Sequence, residues 1–138
     1  MSTRGVLIVE ADEPRRQELV DAVGDELGAP VGLARDGLEA LSRARMQRPA
    51  VVVLDLTLPG IDGLEVARRL RADPATADAW IIAIGATTDS TAARSAGCDA
   101  LLRSPVEREP LLLAVASALK ERLAASSPRK PRPGASAR

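Results

Sequence analysis

A chain of 138 residues is long enough for one domain with a real core, and its 46% of apolar residues is typical of a globular protein. Trp80 is the only aromatic residue, which argues against a nucleic-acid binder that stacks bases. With no histidine and only one cysteine, Cys98, the chain has no histidine-based metal or catalytic site and no internal disulfide. These counts agree with a reducing compartment.

The charges are unevenly distributed along the chain. Lys and Arg together number 19, as do Asp and Glu, but four basic residues and no acid follow Ser126. The remaining body has 15 basic against 19 acidic residues, a net charge of −4, so we expect no DNA partner. The Pro-rich, basic composition of residues 126–138 predicts a disordered tail after a domain over residues 1–125. No apolar run of 18 residues and no signal-peptide pattern is present, which predicts a cytoplasmic protein without a membrane partner.

The first half of the chain alternates strand and helix signals. Val6–Val9 predicts a buried strand. Pro14 suits the first turn of a helix capped by Asp12 or Glu13, which would end at Gly28. A second strand, at residues 31–34, is predicted mainly because the alternation requires one. A second helix then begins where Asp36 and Glu39 stand three residues apart, and its apolar positions are Leu38, Leu41 and Ala44.

The central strand, Val51–Asp55, is the most informative stretch. Its apolar residues suit a strand buried on both faces of a parallel sheet, and Asp55 ends it. In such sheets ligands bind at the carboxyl ends of the strands, so Asp55 is a candidate site residue. The alternative is that Asp55 merely caps a turn. Asp62 then opens a third helix, in which Glu65 can pair with Arg68 or Arg69.

The second half repeats the pattern. Residues 80–84 predict a fourth strand closed by Gly85, residues 88–96 a short helix, residues 98–103 a fifth strand, and Glu107 begins the longest helix. Five βα units predict an α/β fold, a doubly wound, flavodoxin-like parallel sheet with strand order 2-1-3-4-5. That order would gather Glu10, Asp55, Gly85 and Ser104 around one crevice.

Four blocks of sequence resemble those of a response-regulator receiver domain. They are VLIVEADEP at 6–14, VLDLTLPGIDG at 53–63, IIAIGA at 81–86 and GCDALLRSP at 97–105. The resemblance implies that Asp55 accepts a phosphoryl group in a two-component phosphorelay, that Glu10 holds Mg²⁺ through water, and that the Thr57 backbone carbonyl binds it directly. It also implies a cis peptide bond before Pro105.

The chain departs from the family pattern at four positions. Ala11 replaces the second acid of the family, which binds Mg²⁺ directly, and Asp12, one position later, is the substitute candidate. Gly85 replaces the Ser or Thr that grips the phosphoryl group, and Ser104 replaces the Lys that pairs with it. Leu101 replaces the Tyr or Phe that reports the modification. We therefore expect weak or absent Mg²⁺ binding.

Two hypotheses follow within the family. The chain is either a conventional Mg²⁺-dependent phosphoacceptor, or a stand-alone, degenerate receiver that acts mainly as a protein-interaction module and is not an enzyme. The second is favoured, with a histidine kinase or another signalling protein binding the face formed by helix 4, strand 5 and helix 5. A homodimer through the same face is a further expectation.

Two distant alternatives have other chemistry. A flavodoxin-like cofactor binder would need a phosphate cradle after the first strand, where this chain has acids. A phosphatase with an Asp nucleophile would need a second Asp at position 57, where this chain has Thr57.

Overall fold

The computed structural model describes residues 4–124, which form one parallel sheet with helices on both faces. The strands run in the order β2-β1-β3-β4-β5, and every neighbouring pair is parallel. The strands are β1 (Val6–Val9), β2 (Val31–Ala34), β3 (Val51–Asp55), β4 (Trp80–Gly85) and β5 (Ala100–Arg103). The predicted doubly wound α/β fold and its strand order are therefore confirmed.

Five α-helices connect and flank the strands. They are α1 (Glu13–Leu27), α2 (Gly37–Gln47), α3 (Gly63–Ala72), α4 (Ser90–Ala96) and α5 (Arg108–Ala124), and a 3₁₀ turn at Thr87–Asp89 precedes α4. No helix within residues 4–124 is both long and apolar enough to cross a membrane. The predicted tail over residues 126–138 lies outside the described residues.

Side chains alternate across the sheet and fill two separate cores. Leu7, Val52 and Leu54 point to one face, where α2, α3 and α4 cover them. Ile8, Val53 and their neighbours point to the other face, under α1 and α5. Because both faces of β1 and β3 are buried, these strands are continuous apolar runs, as parallel sheets require. The sheet is thus a rigid platform for the loops at its carboxyl edge.

The helix starts follow local capping chemistry. Asp12, Asp36 and Asp62 each accept a hydrogen bond from the backbone N–H three residues later, at 2.8 to 3.0 Å. A side-chain cap of this kind stabilises a helix by about 1 kcal/mol. The predicted caps at Asp36 and Asp62 are confirmed, and of Asp12 and Glu13 it is Asp12 that caps α1.

Three details differ from the sequence predictions. Leu38 is 65% exposed, because the face of α2 that meets the sheet carries the small residues Gly37, Ala40 and Ala44. β5 begins at Ala100, and Cys98 is buried just before it, where its N–H donates to Ala93 O as α4 ends. The predicted fourth helix begins as a 3₁₀ turn, because Asp89 bonds back to Ala86.

Candidate functional site

The carboxyl ends of β1 and β3 bring two carboxylates together. Asp55 ends β3 and is 6% exposed, and Glu10 directly follows β1 and is 2% exposed. The pairing of Val9 with Leu54 across the two strands sets these acids side by side. At this depth little water is present to solvate negative charge.

Burial raises the pKa of Glu10 to about 7, and the neighbouring carboxylate of Asp55 adds to that effect. The N–H of Asp12, which donates to Glu10 Oε2 at 3.0 Å, and the charge of Arg15 act in the opposite direction. The other oxygen, Oε1, is buried without a hydrogen-bond partner. An oxygen in this position calls for a proton or a cation.

Asp55 is oriented by the residue two positions later. The backbone N–H and the hydroxyl of Thr57 both donate to Asp55 Oδ1, each at 2.8 Å. Both hydrogen bonds go to one oxygen, so they hold the Asp55 carboxylate in a single orientation.

The loop after β1 is fixed by helix α1. Arg16 is nearly buried, and its guanidinium donates to Glu10 O at 2.9 Å and to Ala11 O at 3.3 Å. Asp12, the substitute metal-ligand candidate, uses its carboxylate to cap α1 at the N–H of Arg15. Ala11 is exposed and adds no oxygen from its side chain. The acids after β1 therefore contribute one buried carboxylate, that of Glu10.

The end of β4 carries Gly85, which is buried next to Leu56. Asp89 folds back over this position, and its Oδ2 accepts a hydrogen bond from the Ala86 N–H at 2.9 Å. Position 85 therefore supplies no hydroxyl, and its surroundings contain a further carboxylate.

The end of β5 supplies no cation to Asp55. Ser104 is exposed and its N–H donates to Gly85 O at 2.9 Å, while the Ser104–Pro105 peptide bond is cis. Leu101 is half-buried and packs against the core under α4. Within residues 4–124, no Lys or Arg side chain makes a salt bridge with Asp55.

Sequence reasoning singled out Glu10, Asp55, Gly85 and Ser104, and the structure brings the ends of their four strands to one edge of the sheet. It did not single out Arg16 or Asp89. The sequence offered a signal for Asp89, since an acid three residues after the start of a loop often bonds back to the first N–H. Arg16 offered none.

Comparisons with known proteins identify the family of this chain. The family described as the response regulator receiver domain matches residues 6–116. The response regulator MprA of Mycobacterium bovis (strain BCG / Pasteur 1173P2) is 38% identical over 124 residues, which cover 87% of this chain and 52% of that protein. The chain thus spans about half the length of the curated relatives it matches.

Two solved structures have the same fold. The receiver domain of sensor histidine kinase PA1611 from Pseudomonas aeruginosa PAO1, with a magnesium ion coordinated in its active-site cleft, is 28% identical with a TM-score of 0.72, covering 85% of this chain and 98% of that one. A CheY-like receiver domain protein from Methanospirillum hungatei JF-1 has a TM-score of 0.80 over 89% of this chain and 98% of that one, and at 22% identity this likeness shows the fold alone. Fold, motifs and sequence matches together show that the chain belongs to the response regulator receiver domain family of two-component signalling systems.

Proposed function

We propose that this receiver domain accepts a phosphoryl group on Asp55 only weakly and acts mainly as a protein-interaction module. The observation that carries the proposal is the composition of the crevice. An oriented, buried carboxylate pair lies at the ends of β1 and β3, but the ends of β4 and β5 offer Gly85 and an exposed Ser104. The nucleophile is kept, and the groups that would stabilise and report its product are missing.

The chemistry assigned to Asp55 is phosphoryl transfer. A carboxylate oxygen forms a bond to phosphorus while the P–N bond of a kinase phosphohistidine, or the P–O bond of a small acyl phosphate, breaks and its electron pair leaves with the donor group. The hydrogen bonds from Thr57 to Oδ1 leave Oδ2 as the attacking atom. The product is an acyl phosphate on Asp55, so the domain carries a signal rather than turning over a substrate.

The residues present fit Mg²⁺ in part. Glu10 and Asp55 supply hard carboxylate oxygens, the unpartnered Glu10 Oε1 is suited to a cation or its water, and the Thr57 carbonyl is a third candidate ligand. Bound Mg²⁺ would offset the repulsion between these acids and an incoming phosphoryl group. Within residues 4–124 no three acids lie close enough together to hold a metal ion, so we propose that Mg²⁺ binds weakly.

Energetics explain why phosphorylation would be a poor switch here. A hydrogen bond to a charged group contributes about 1.5–3 kcal/mol, so the missing lysine and hydroxyl together would have supplied roughly 3–6 kcal/mol. Driving a two-state equilibrium from one extreme to the other takes about 5.5 kcal/mol of differential binding. Without that contribution the conformation would depend on a bound partner more than on the phosphoryl group.

The surface proposed for partners is the face of α4, β5 and α5. A cavity of about 310 Å³ opens where β5 runs into α5, lined by Leu102, Arg103, Pro105, Val106, Glu107 and Pro110. Leu113 on α5 is 63% exposed, an apolar contact suited to a kinase, another signalling protein or a second copy.

Intact-mass measurement tests the phosphoacceptor role. The purified chain is incubated with Mg²⁺ and acetyl phosphate beside Asp55→Asn and the matched loop variant Asp62→Asn. We expect a slow, partial gain of one phosphoryl group that Asp55→Asn abolishes and Asp62→Asn retains. A gain that persists in Asp55→Asn would overturn the assignment.

Backbone NMR with beryllofluoride and Mg²⁺ tests the weak switch. We expect shifts confined to residues around Asp55. Shifts that spread through α4, β5 and α5 would instead establish a conventional phosphorylation-driven receiver.

A further inference from the structure

The side chain of Asp89, four residues after Gly85, fills space at the carboxyl end of β4. A Cβ placed on Gly85 would lie 2.9 Å from Asp89 Oδ2 and 2.9 Å from Leu56 Cδ1. Real Cβ atoms do not make contacts this short, so a larger residue at position 85 would force Asp89 or Leu56 to move. Gly85 and Asp89 therefore form one packed unit rather than leaving an open place in the crevice.

Asp89 is tied to Ala86 by two hydrogen bonds, one from its side chain and one from its backbone. Its Oδ2 accepts from the Ala86 N–H at 2.9 Å, and its own N–H donates to Ala86 O at 2.9 Å. These reciprocal bonds close the 3₁₀ turn and hold the carboxylate over the end of β4. Its negative charge is thus a fixed feature of the crevice.

That charge lies over the end of β4, the strand next to the one that ends in Asp55. Leu56 directly follows Asp55, its N–H donates to Ile84 O at 3.0 Å, and its side chain shares the space at Gly85 with Asp89. In the described part of the chain no Lys or Arg side chain makes a salt bridge with either aspartate. Negative charge arriving on Asp55 would therefore meet Asp89 without a protein cation to offset it.

We infer that Asp89 is a built-in restraint on phosphorylation of Asp55, an inference that rests on the proposed function. Its carboxylate takes the space of a side chain at position 85 and places a fixed negative charge beside the incoming phosphoryl group. A hydroxyl residue introduced at position 85 would have to displace Asp89 or Leu56, and the charge of Asp89 would remain nearby.

A double-mutant cycle tests the restraint. The rate of mass gain with Mg²⁺ and acetyl phosphate is compared for the wild type, Gly85→Ser, Asp89→Ala and the double variant. We expect Asp89→Ala to react about tenfold faster, the scale expected for removing one like charge near a protein surface. Gly85→Ser alone should be no faster than the wild type, and the double variant should be faster than Asp89→Ala. Asp73→Ala, at the opposite end of β4, is the control for loss of one charge and should leave the rate unchanged.

The outcomes separate this inference from the proposed function. An unchanged rate in Asp89→Ala, with Asp55→Asn still blocking the mass gain, overturns the restraint and leaves the phosphoacceptor role intact. Hydrogen exchange of the Ala86 amide checks the contact without any phosphorylation. We expect slower exchange in the wild type than in Asp89→Ala, and equal exchange would overturn the inference even if the rates differ.

Discussion

Burial in the crevice opposes the ionisation of Glu10. Burial and Asp55 raise the pKa of Glu10 from 4.5 to about 7. Between these two pH values the folded protein keeps a proton on Glu10 that the unfolded chain has lost. Stability from this group is complete below pH 4.5 and falls as the pH rises toward 7. The crevice is thus least stable at the pH where it would bind a cation.

Replacing Glu10 by Gln should remove this dependence. In EDTA at pH 8 we expect Glu10→Gln to be more stable than the wild type by at least about 1 kcal/mol, and near pH 4.5 the two should agree. Urea unfolding at the two pH values measures the difference. The exposed Glu18→Gln is the control for loss of one charge and should show no comparable gain at pH 8.

Mg²⁺ should make the wild type at pH 8 more stable than Glu10→Gln. If Glu10 helps to hold Mg²⁺, millimolar Mg²⁺ should raise the unfolding midpoint of the wild type at pH 8, because a ligand that binds only the folded state stabilises it. Glu10→Gln should respond much less. An equal response in both proteins would remove Glu10 from the proposed metal site.

At the scale of elements, one arginine joins α3 to two loops and the start of β5. Arg71 donates to Gly97 O at 3.0 Å, to Ala77 O and Ala79 O at 2.7 and 2.6 Å, and to Asp99 Oδ2 at 2.7 Å. The side chain of Asp99 is 1% exposed. A buried carboxylate of this kind depends on its cation, since ionisation without a partner is costly.

Arg71→Ala should therefore destabilise the fold by about 3–5 kcal/mol, the usual cost of breaking a buried ion pair from one side. The control is Arg68→Ala on the same helix, whose partner Glu65 is an exposed residue, and it should cost less than about 1 kcal/mol. Urea denaturation of both variants measures the contrast. Equal losses would show that the hydrogen bonds and ion pair of Arg71 contribute no more than the exposed ion pair of Arg68.

These elements also show how far the sequence could lead. Strands and helix caps were predictable because apolar runs and Asp residues act over three or four neighbours, and the strand order was predictable from the common arrangement of five βα units. Arg71 was not, since its partner Asp99 lies 28 residues away and only the folded sheet brings them together. Leu38 was wrongly predicted to be an apolar contact of α2, because this helix meets the sheet through small residues that a search for large apolar side chains does not detect. At the site, the missing groups could be read from the sequence, whereas the packing of Asp89 against Gly85 required the fold.

At the scale of the whole molecule, Asp78 ties distant parts of the chain together at the end of the sheet opposite the crevice. It binds Arg4, just before β1, through two hydrogen bonds of 3.2 and 3.3 Å, and Arg122 of α5 at 3.1 Å. Burial disfavours ionisation of Asp78, but the hydrogen bonds and charges of Arg4 and Arg122 outweigh it and hold the pKa of that carboxyl below its usual 3.8. Because Arg122 is only 5% exposed, its ion pair with Asp78 offsets part of the cost of burying its charge.

Asp78→Asn tests whether the ion pairs of Asp78 with Arg4 and Arg122 stabilise the whole fold. A depressed pKa contributes stability that is present above pH 3.8 and is lost as the pH falls through the folded value. We expect the variant to lose about 1 kcal/mol at pH 7, a modest figure because the Asp78 side chain is 35% exposed. The loss should shrink as the pH falls below 3.8 and through the lowered pKa of the Asp78 carboxyl in the folded protein. A loss that stays constant from pH 7 to pH 3 would mean that Asp78 contributes through packing, and that charge does not link the amino-terminal segment to α5.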